Sequence, residues 1–161
     1  MLIFLNTDCL MSAADAAAHT RGGVPGFEAV LQAWPQLRLV LTSERRHWTT
    51  IDRLGAMFSA PLRTRILGTT PIYGALAQSR PGREDEILDW LRQGDADDAD
   101  WLAVDDRHDE FHAHAHRLIA CRWFGPDEAE ALHGRLHQRS LQREAVLRLQ
   151  PAARRPLPLG A

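Results

Sequence analysis

Met1-Leu-Ile-Phe-Leu-Asn-Thr-Asp-Cys-Leu-Met11 is the stretch whose reading decides the fold. Leu2 to Leu5 is a short apolar run of the kind that forms a buried strand. It ends directly in a polar pair, Asn6 and Asp8, spaced two apart. Alternate residues of a strand project to one side, so an extended chain here would send both side chains the same way. Parallel α/β sheets place their ligand sites at the carboxyl ends of the strands. The segment is therefore expected to deliver an Asn and an Asp to one site.

Working outward, the same grammar repeats. Phe27, Val30, Leu31 and Trp34 recur at helical spacing, and Pro35 closes that segment. Leu37 to Leu41 reads as a second buried strand ending in Thr42-Ser43. A helix is expected from about Glu44, with Trp48, Ile51, Leu54 and Phe58 on its inner face. Residues 59–82 read as mostly loop, with one short strand near Ile66. The segment Gly82-Arg-Glu-Asp-Glu-Ile-Leu-Asp-Trp-Leu-Arg-Gln93 predicts a helix, acidic in its first turn and turning Ile87, Trp90 and Leu91 inward. Trp101 to Val104 is a strand ending in Asp105-Asp106, Leu118 to Cys121 is another, and Pro126 followed by acids starts a helix. The five tryptophans are spaced like core anchors. Strands alternating with helices predict a three-layer α/β sandwich with a central parallel sheet of about five strands.

At 161 residues the chain is expected to form one domain over 1–150, with a proline-rich, poorly ordered tail over 151–161. Its net charge of −2 gives no global basic field of the kind that advertises nucleic acid. All 19 basic residues are Arg, so any cation at a phosphate must be Arg or His, and Arg suits bidentate phosphate recognition. Cys9 and Cys121 are too few for a disulfide framework and read as buried, reduced thiols. The apolar opening is short and has no basic leader, so no signal peptide is expected, and no apolar run approaches a membrane span. A cytoplasmic protein without a membrane partner is the resulting expectation.

Three strands thus end in polar residues, Asn6/Asp8, Thr42/Ser43 and Asp105/Asp106, while Arg83 opens a helix between the second and third. Carboxylates hold a hard cation such as Mg²⁺, and a hydroxyl and an Arg hold phosphoryl oxygens. Each piece also has a plainer reading. Asn6 and Asp8 suit a turn, Thr42-Ser43 an N-cap, and Arg83 a solvated surface. His112, His114 and His116 alternate and would share one face if extended, but they read more simply as solvated histidines than as a metal site. The acidic run 95–100 lacks the central Gly and terminal Glu of an EF-hand and reads as a solvated loop.

The ordered set resembles the haloacid dehalogenase (HAD) superfamily, and within it the small phosphatase-like domains of bacterial RNA-repair proteins. The family pattern is an apolar strand with Asp-x-Asp-Gly-Val-Leu, a strand ending Thr-Ser-Ser-Trp-Arg, an Arg-x-x-Glu-Ile-x-x-Trp-Leu helix, and a strand ending Asp-Asp. Here Asn6-Thr-Asp-Cys-Leu10, Leu41-Thr-Ser-Glu-Arg-Arg46, Arg83-Glu-Asp-Glu-Ile-Leu-Asp-Trp-Leu91 and Trp101-Leu-Ala-Val-Asp-Asp106 stand in that order, across residues 1 to about 138. The resemblance implies a nucleophile at position 6 and an acid/base at Asp8. It also implies phosphate binding by Thr42, Ser43 and Arg83, and a Mg²⁺ site from Asn6, Asp8, Asp105 and Asp106. The ligand it implies is phosphorylated, with nucleic-acid ends in view. The connections on either side of Thr42-Ser43 are too short for a large cap.

The chain departs from the pattern at three places. Asn6 replaces the nucleophilic Asp and removes a formal charge from the Mg²⁺ site. Cys9 replaces a Gly, and Arg45 replaces a Trp. Natural loss of activity, an inactivating substitution and a rerouted chemistry all account for Asn6; the second change at Cys9 favours the first. The expectation is a HAD-like phosphatase fold, impaired or inactive, with a weakened Mg²⁺ and phosphate site. The alternatives are an active Mg²⁺-dependent phosphohydrolase once Asn6 is restored, and a non-catalytic interaction module.

Overall fold

A computed structural model describes residues 1–11, 22–73, 81–96 and 99–149. Strands β1 (Leu2–Leu5), β2 (Arg38–Leu41), β3 (Ile66–Thr69), β4 (Trp101–Asp105) and β5 (Leu118–Ala120) form one sheet in the order β3-β2-β1-β4-β5. Every pairing is parallel. The helices are α1 (Gly23–Gln32), α2 (Ile51–Gly55), α3 (Ala60–Arg63), α4 (Arg83–Gln93) and α5 (Pro126–Leu149).

Alternation along β1 divides the core between the two faces of the sheet. Ile3 and Leu5 join Leu39, Leu41, Leu102 and Val104 in one cluster, against Phe27 and Leu31 of α1 and Leu132 and Leu136 of α5. Phe4 faces the opposite way, with Val40 and Ala103, against Ile87 and Leu91 of α4. The three-layer sandwich read from the sequence is therefore present, with the strands apolar on both faces because both are covered. Among the described residues no helix is long and apolar enough to cross a membrane.

The long helix expected from Glu44 is not formed. A single 3-10 turn over Glu44–His47 stops at Trp48, and Thr50 starts α2 afresh by accepting a hydrogen bond from Arg53 N on its hydroxyl. The β-branched pair Thr49-Thr50 favours such a break, since a Thr hydroxyl competes for backbone N–H groups. Leu54 and Phe58 still reach the core, but Ile51 is 38% exposed and Trp48 73% exposed. Trp48 is thus not a core anchor. The segment 59–82 carries α3 besides the expected strand near Ile66; residues 74–80, like the 150–161 end, lie outside the described residues.

Candidate active site

The site forms where the chain order of the sheet reverses. From β1 the chain builds outward through β2 and β3 on one side, then through β4 and β5 on the other, the arrangement that opens a crevice at the strands' carboxyl ends. Leu5 is level with Leu41 on one neighbour and Val104 on the other. Asn6, Thr42 and Asp105 are therefore the next residues on three adjacent strands. The Thr42 N–H donates to Leu5 O at 2.8 Å and the Asn6 N–H to Val104 O at 2.9 Å, which fixes that alignment.

The chain does not stay extended through Asp8. After Asn6 it turns into a 3-10 helix over Thr7–Leu10, and the Asn6 Oδ1 caps it by accepting from the Asp8 N–H at 3.1 Å. Asn6 and Asp8 still reach one edge, through a turn rather than strand alternation. The other end of the Asn6 carboxamide donates to Asp106 Oδ1 at 2.9 Å and Asp105 Oδ1 at 3.4 Å. This orientation follows from its partners, because the reverse would set its oxygen against two carboxylates. Cys9 holds the turn from beneath without needing glycine's backbone freedom, since its φ is negative. Its thiol donates to Cys121 O at 2.6 Å and its own carbonyl accepts from Phe124 N. A side-chain hydrogen bond with the Cys121 thiol, together with burial, raises the Cys9 thiol pKa far above its usual range.

Asp8 is gripped from the β2 side. Ser43 Oγ donates to Asp8 Oδ2 at 3.0 Å, and Arg45 Nε pairs with Asp8 Oδ1 at 2.7 Å. Ser43 also accepts from Arg45 N, so its role as an N-cap is real, though it caps one 3-10 turn and gains little from a helix dipole. Thr42 Oγ1 donates instead to Asp105 Oδ2 at 3.2 Å.

Beneath these lies a buried charge network. Arg83 Nε stands 2.9 Å from Asp105 Oδ2, and Arg83 Nη1 is 2.7 Å from Glu86 one helical turn on. Glu86 also receives Arg46 Nη2 at 2.6 Å, while Arg46 Nη1 donates to the carbonyls of Thr42 and Ser43. Two guanidinium groups and two carboxylates thus tie β2, α4 and β4 together, all four residues being buried. Burial pushes the Asp105 carboxyl pKa up, and Arg83 only partly offsets this. Burial alone would lower Arg83, but Asp105, Glu86 and Glu44 outweigh it and hold the guanidinium above its ordinary value. Arg46 is shifted down by burial despite Glu86.

The candidate site residues read from the sequence lie at this edge, in two tiers. Asp8 and Asp106 form the outer one. Asn6, Thr42, Ser43, Arg83 and Asp105 are all buried behind it, where Arg83 meets carboxylates first. Arg46 and Glu86 are buried framework of this edge that lies outside the residues expected from the sequence. Their signals were the Arg closing the second motif and the Arg-x-x-Glu spacing, which places Arg83 and Glu86 on one face of a helix. The histidine segment is held elsewhere: Glu84 accepts from His112 N and from His114 N and Nδ1, and the His114 ring lies 5.6 Å from the Trp101 ring at a tilt of 43°. His114 is therefore an anchored side chain, not a solvated one.

A hard divalent ion needs several oxygens turned toward one point. Here the Asn6 carboxamide presents N–H groups to Asp105 and Asp106, its oxygen is turned to the Asp8 N–H, and Arg45 and Arg83 take Asp8 and Asp105. This arrangement does not fit Mg²⁺, and among the described residues no group of three or more acidic, His or Cys side chains is placed to hold a metal.

The motifs, their order and the position of their residues at one sheet edge agree with one family profile, described as the HAD domain in Swiss Army Knife RNA repair proteins, which matches residues 4–125. No curated protein matches the chain, and no solved structure does. With the matched segment spanning the sheet and every residue of the site, the chain belongs to the family of HAD domains found in Swiss Army Knife RNA repair proteins.

Proposed function

We propose that this HAD domain recognises a phosphorylated ligand at the Asn6–Asp8–Ser43 edge but has little or no hydrolytic power of its own. One observation carries the reading: the residue at the nucleophile position is a carboxamide already spent on donating to Asp105 and Asp106. Attack on phosphorus needs an anionic oxygen with a free lone pair, as a carboxylate supplies. Asn6 is neutral, and its one oxygen accepts the Asp8 N–H. Asp8 in turn is engaged by Ser43 and Arg45, which turn the group placed for acid/base work toward the end of β2.

HAD domains generally use Mg²⁺. In this chain the ion would find donors where it needs acceptors, so a weak Mg²⁺ affinity belongs with the reading and no chemical step depends on it. The half-exposed Arg45 guanidinium supplies the cation for phosphoryl oxygens, while the buried Ser43 hydroxyl orients Asp8 beside it. The short connections leave the edge without a large cap, which suits a phosphate at the end of a longer molecule, such as a nucleic-acid end. A reducing, cytoplasmic setting is consistent with the free thiols of Cys9 and Cys121, buried against one another.

A second reading is favoured by the intact Arg46–Glu86–Arg83–Asp105 framework: with Asp at position 6 the site would be a working phosphohydrolase. The test is release of phosphate from an aryl phosphate with Mg²⁺, comparing the chain with Asn6→Asp. The expected result is turnover in the Asp form alone. Turnover already present with Asn6 would overturn the reading. Failure of both, on aryl phosphate and on an RNA end, would leave an interaction module.

A further inference from the structure

Beside Asp8 the structure opens a cavity of about 360 Å³, lined by Thr7, Arg45, Trp48, Arg53 and Met57 among others. We propose that this cavity is a nucleobase subsite, and that the ligand of the neighbouring edge is a nucleotide whose ring stacks on Trp48. The proposal rests on the reading of that edge as phosphate-recognising.

Four observations converge on it. Trp48 is 73% exposed, where a large aromatic side chain ordinarily finds cover. Thr7 lines the cavity with its residue fully buried, and its Oγ1 has no hydrogen-bond partner in the protein. A buried hydroxyl left unpaired is costly, and a polar ring edge would supply what it lacks. The lining carries two guanidinium groups, Arg45 and Arg53, and no carboxylate. Finally, Arg45 belongs to both places, lining the cavity while its Nε pairs with Asp8 at 2.7 Å. A ligand bridging the two therefore needs an anion at one end and a flat ring about one side chain away.

The cavity volume is at the small end of the range for ligand sites. Single bases suit it: every base has a π face for an indole, and heteroatoms at its rim for hydroxyl and guanidinium donors. A phosphotyrosine also joins a ring to a phosphate, but its carbon rim gives Thr7, Thr49 and Arg53 nothing to bond. A sugar phosphate without a base would leave Trp48 uncovered.

The experiment is calorimetric titration of the full chain with adenosine monophosphate, ribose 5-phosphate, inorganic phosphate and a phosphotyrosine peptide, repeated with Trp48→Ala. Adenosine monophosphate is expected to bind about tenfold tighter than ribose 5-phosphate, the scale of one stacked base. Trp48→Ala is expected to erase that margin while ribose 5-phosphate and inorganic phosphate bind as before. If phosphate binds but the nucleotide binds no tighter, the subsite is wrong and the phosphate reading stands. If no phosphorylated ligand binds, both fall. Preference for the phosphotyrosine peptide, or a Trp48→Ala variant that loses every ligand equally, would also overturn the subsite.

Discussion

The Asn6 carboxamide nitrogen lies 2.9 Å from Asp106 Oδ1, a hydrogen-bond donor set against an acid pair at the carboxyl end of the sheet. It neutralises nothing formally, yet its two N–H groups serve Asp105 and Asp106 together. An Asp in its place would add a third carboxylate to the group.

Asn6→Asp is therefore expected to lower stability in metal-free buffer by about 2–3 kcal/mol, the scale of a lost hydrogen bond to a charged group with added like-charge repulsion. Millimolar Mg²⁺ is expected to restore it, because a ligand bound only by the folded state stabilises by mass action, about 2.7 kcal/mol at a hundredfold excess over Kd. The parent chain, whose amide already bridges the acids, is expected to change its melting temperature little. Thermal melts of both forms with and without Mg²⁺ decide this. An equal Mg²⁺ response in the two would show that the amide does not keep the ion out.

Arg83 is the linchpin of the buried network. Arg83→Met keeps an apolar stem of similar length but leaves Asp105 and Glu86 buried with one fewer cation. Removing one partner of a buried pair costs about 3–5 kcal/mol, a large share of the 5–15 kcal/mol typical of a domain. Urea unfolding measures it directly. The double variant with Asp105→Asn is expected to recover part of the loss, since a neutral amide no longer needs the guanidinium.

The sequence made the centre of the sheet legible because β1, β2 and β4 are apolar on both faces and are followed by polar residues where the apolar run stops. That rule placed Asn6, Thr42, Ser43, Asp105 and Asp106 at one edge without knowledge of any contact. What it could not show was depth. Arg83 and Asp105 look like site residues by position, yet their distance from solvent depends on how α4 packs on the sheet through Ile87 and Leu91. Arg46 was hidden for the same reason: a buried arginine is recognised by its partners Glu86, Thr42 and Ser43, and these meet only after folding. Trp48 stays outside the core because helical periodicity stops at the Thr49-Thr50 break, where a single hydroxyl cap restarts the helix.

Arg45 is the converse case to Arg83. Its ion pair with Asp8 is short, but the two side chains are 45% and 39% exposed. Exposed pairs are worth about 1 kcal/mol or less, so Arg45→Ala is expected to leave the urea midpoint almost unchanged. The same substitution is expected to weaken inorganic phosphate binding about tenfold, within the range of one charge-assisted hydrogen bond. Calorimetric titration alongside urea unfolding separates the two effects. Loss of stability without loss of phosphate affinity would remove Arg45 from the recognition surface.

Glu84 is expected to govern part of the acid limb of stability. Burial pushes its carboxyl pKa up, but the backbone N–H of His112 and the N–H and ring of His114 outweigh that and hold it below the ordinary value. A carboxyl depressed in the folded state contributes stability that is complete above its unfolded pKa of about 4.3 and is lost as pH falls through the lower folded value. Glu84→Gln should therefore be less stable than the parent at about pH 6, with the gap narrowing toward about pH 3 as the parent's carboxylate protonates. Urea midpoints of both proteins across that range read the sign directly. A gap that stays constant with pH would mean that Glu84 anchors the His112–His114 segment by shape and neutral hydrogen bonding, with its charge contributing nothing.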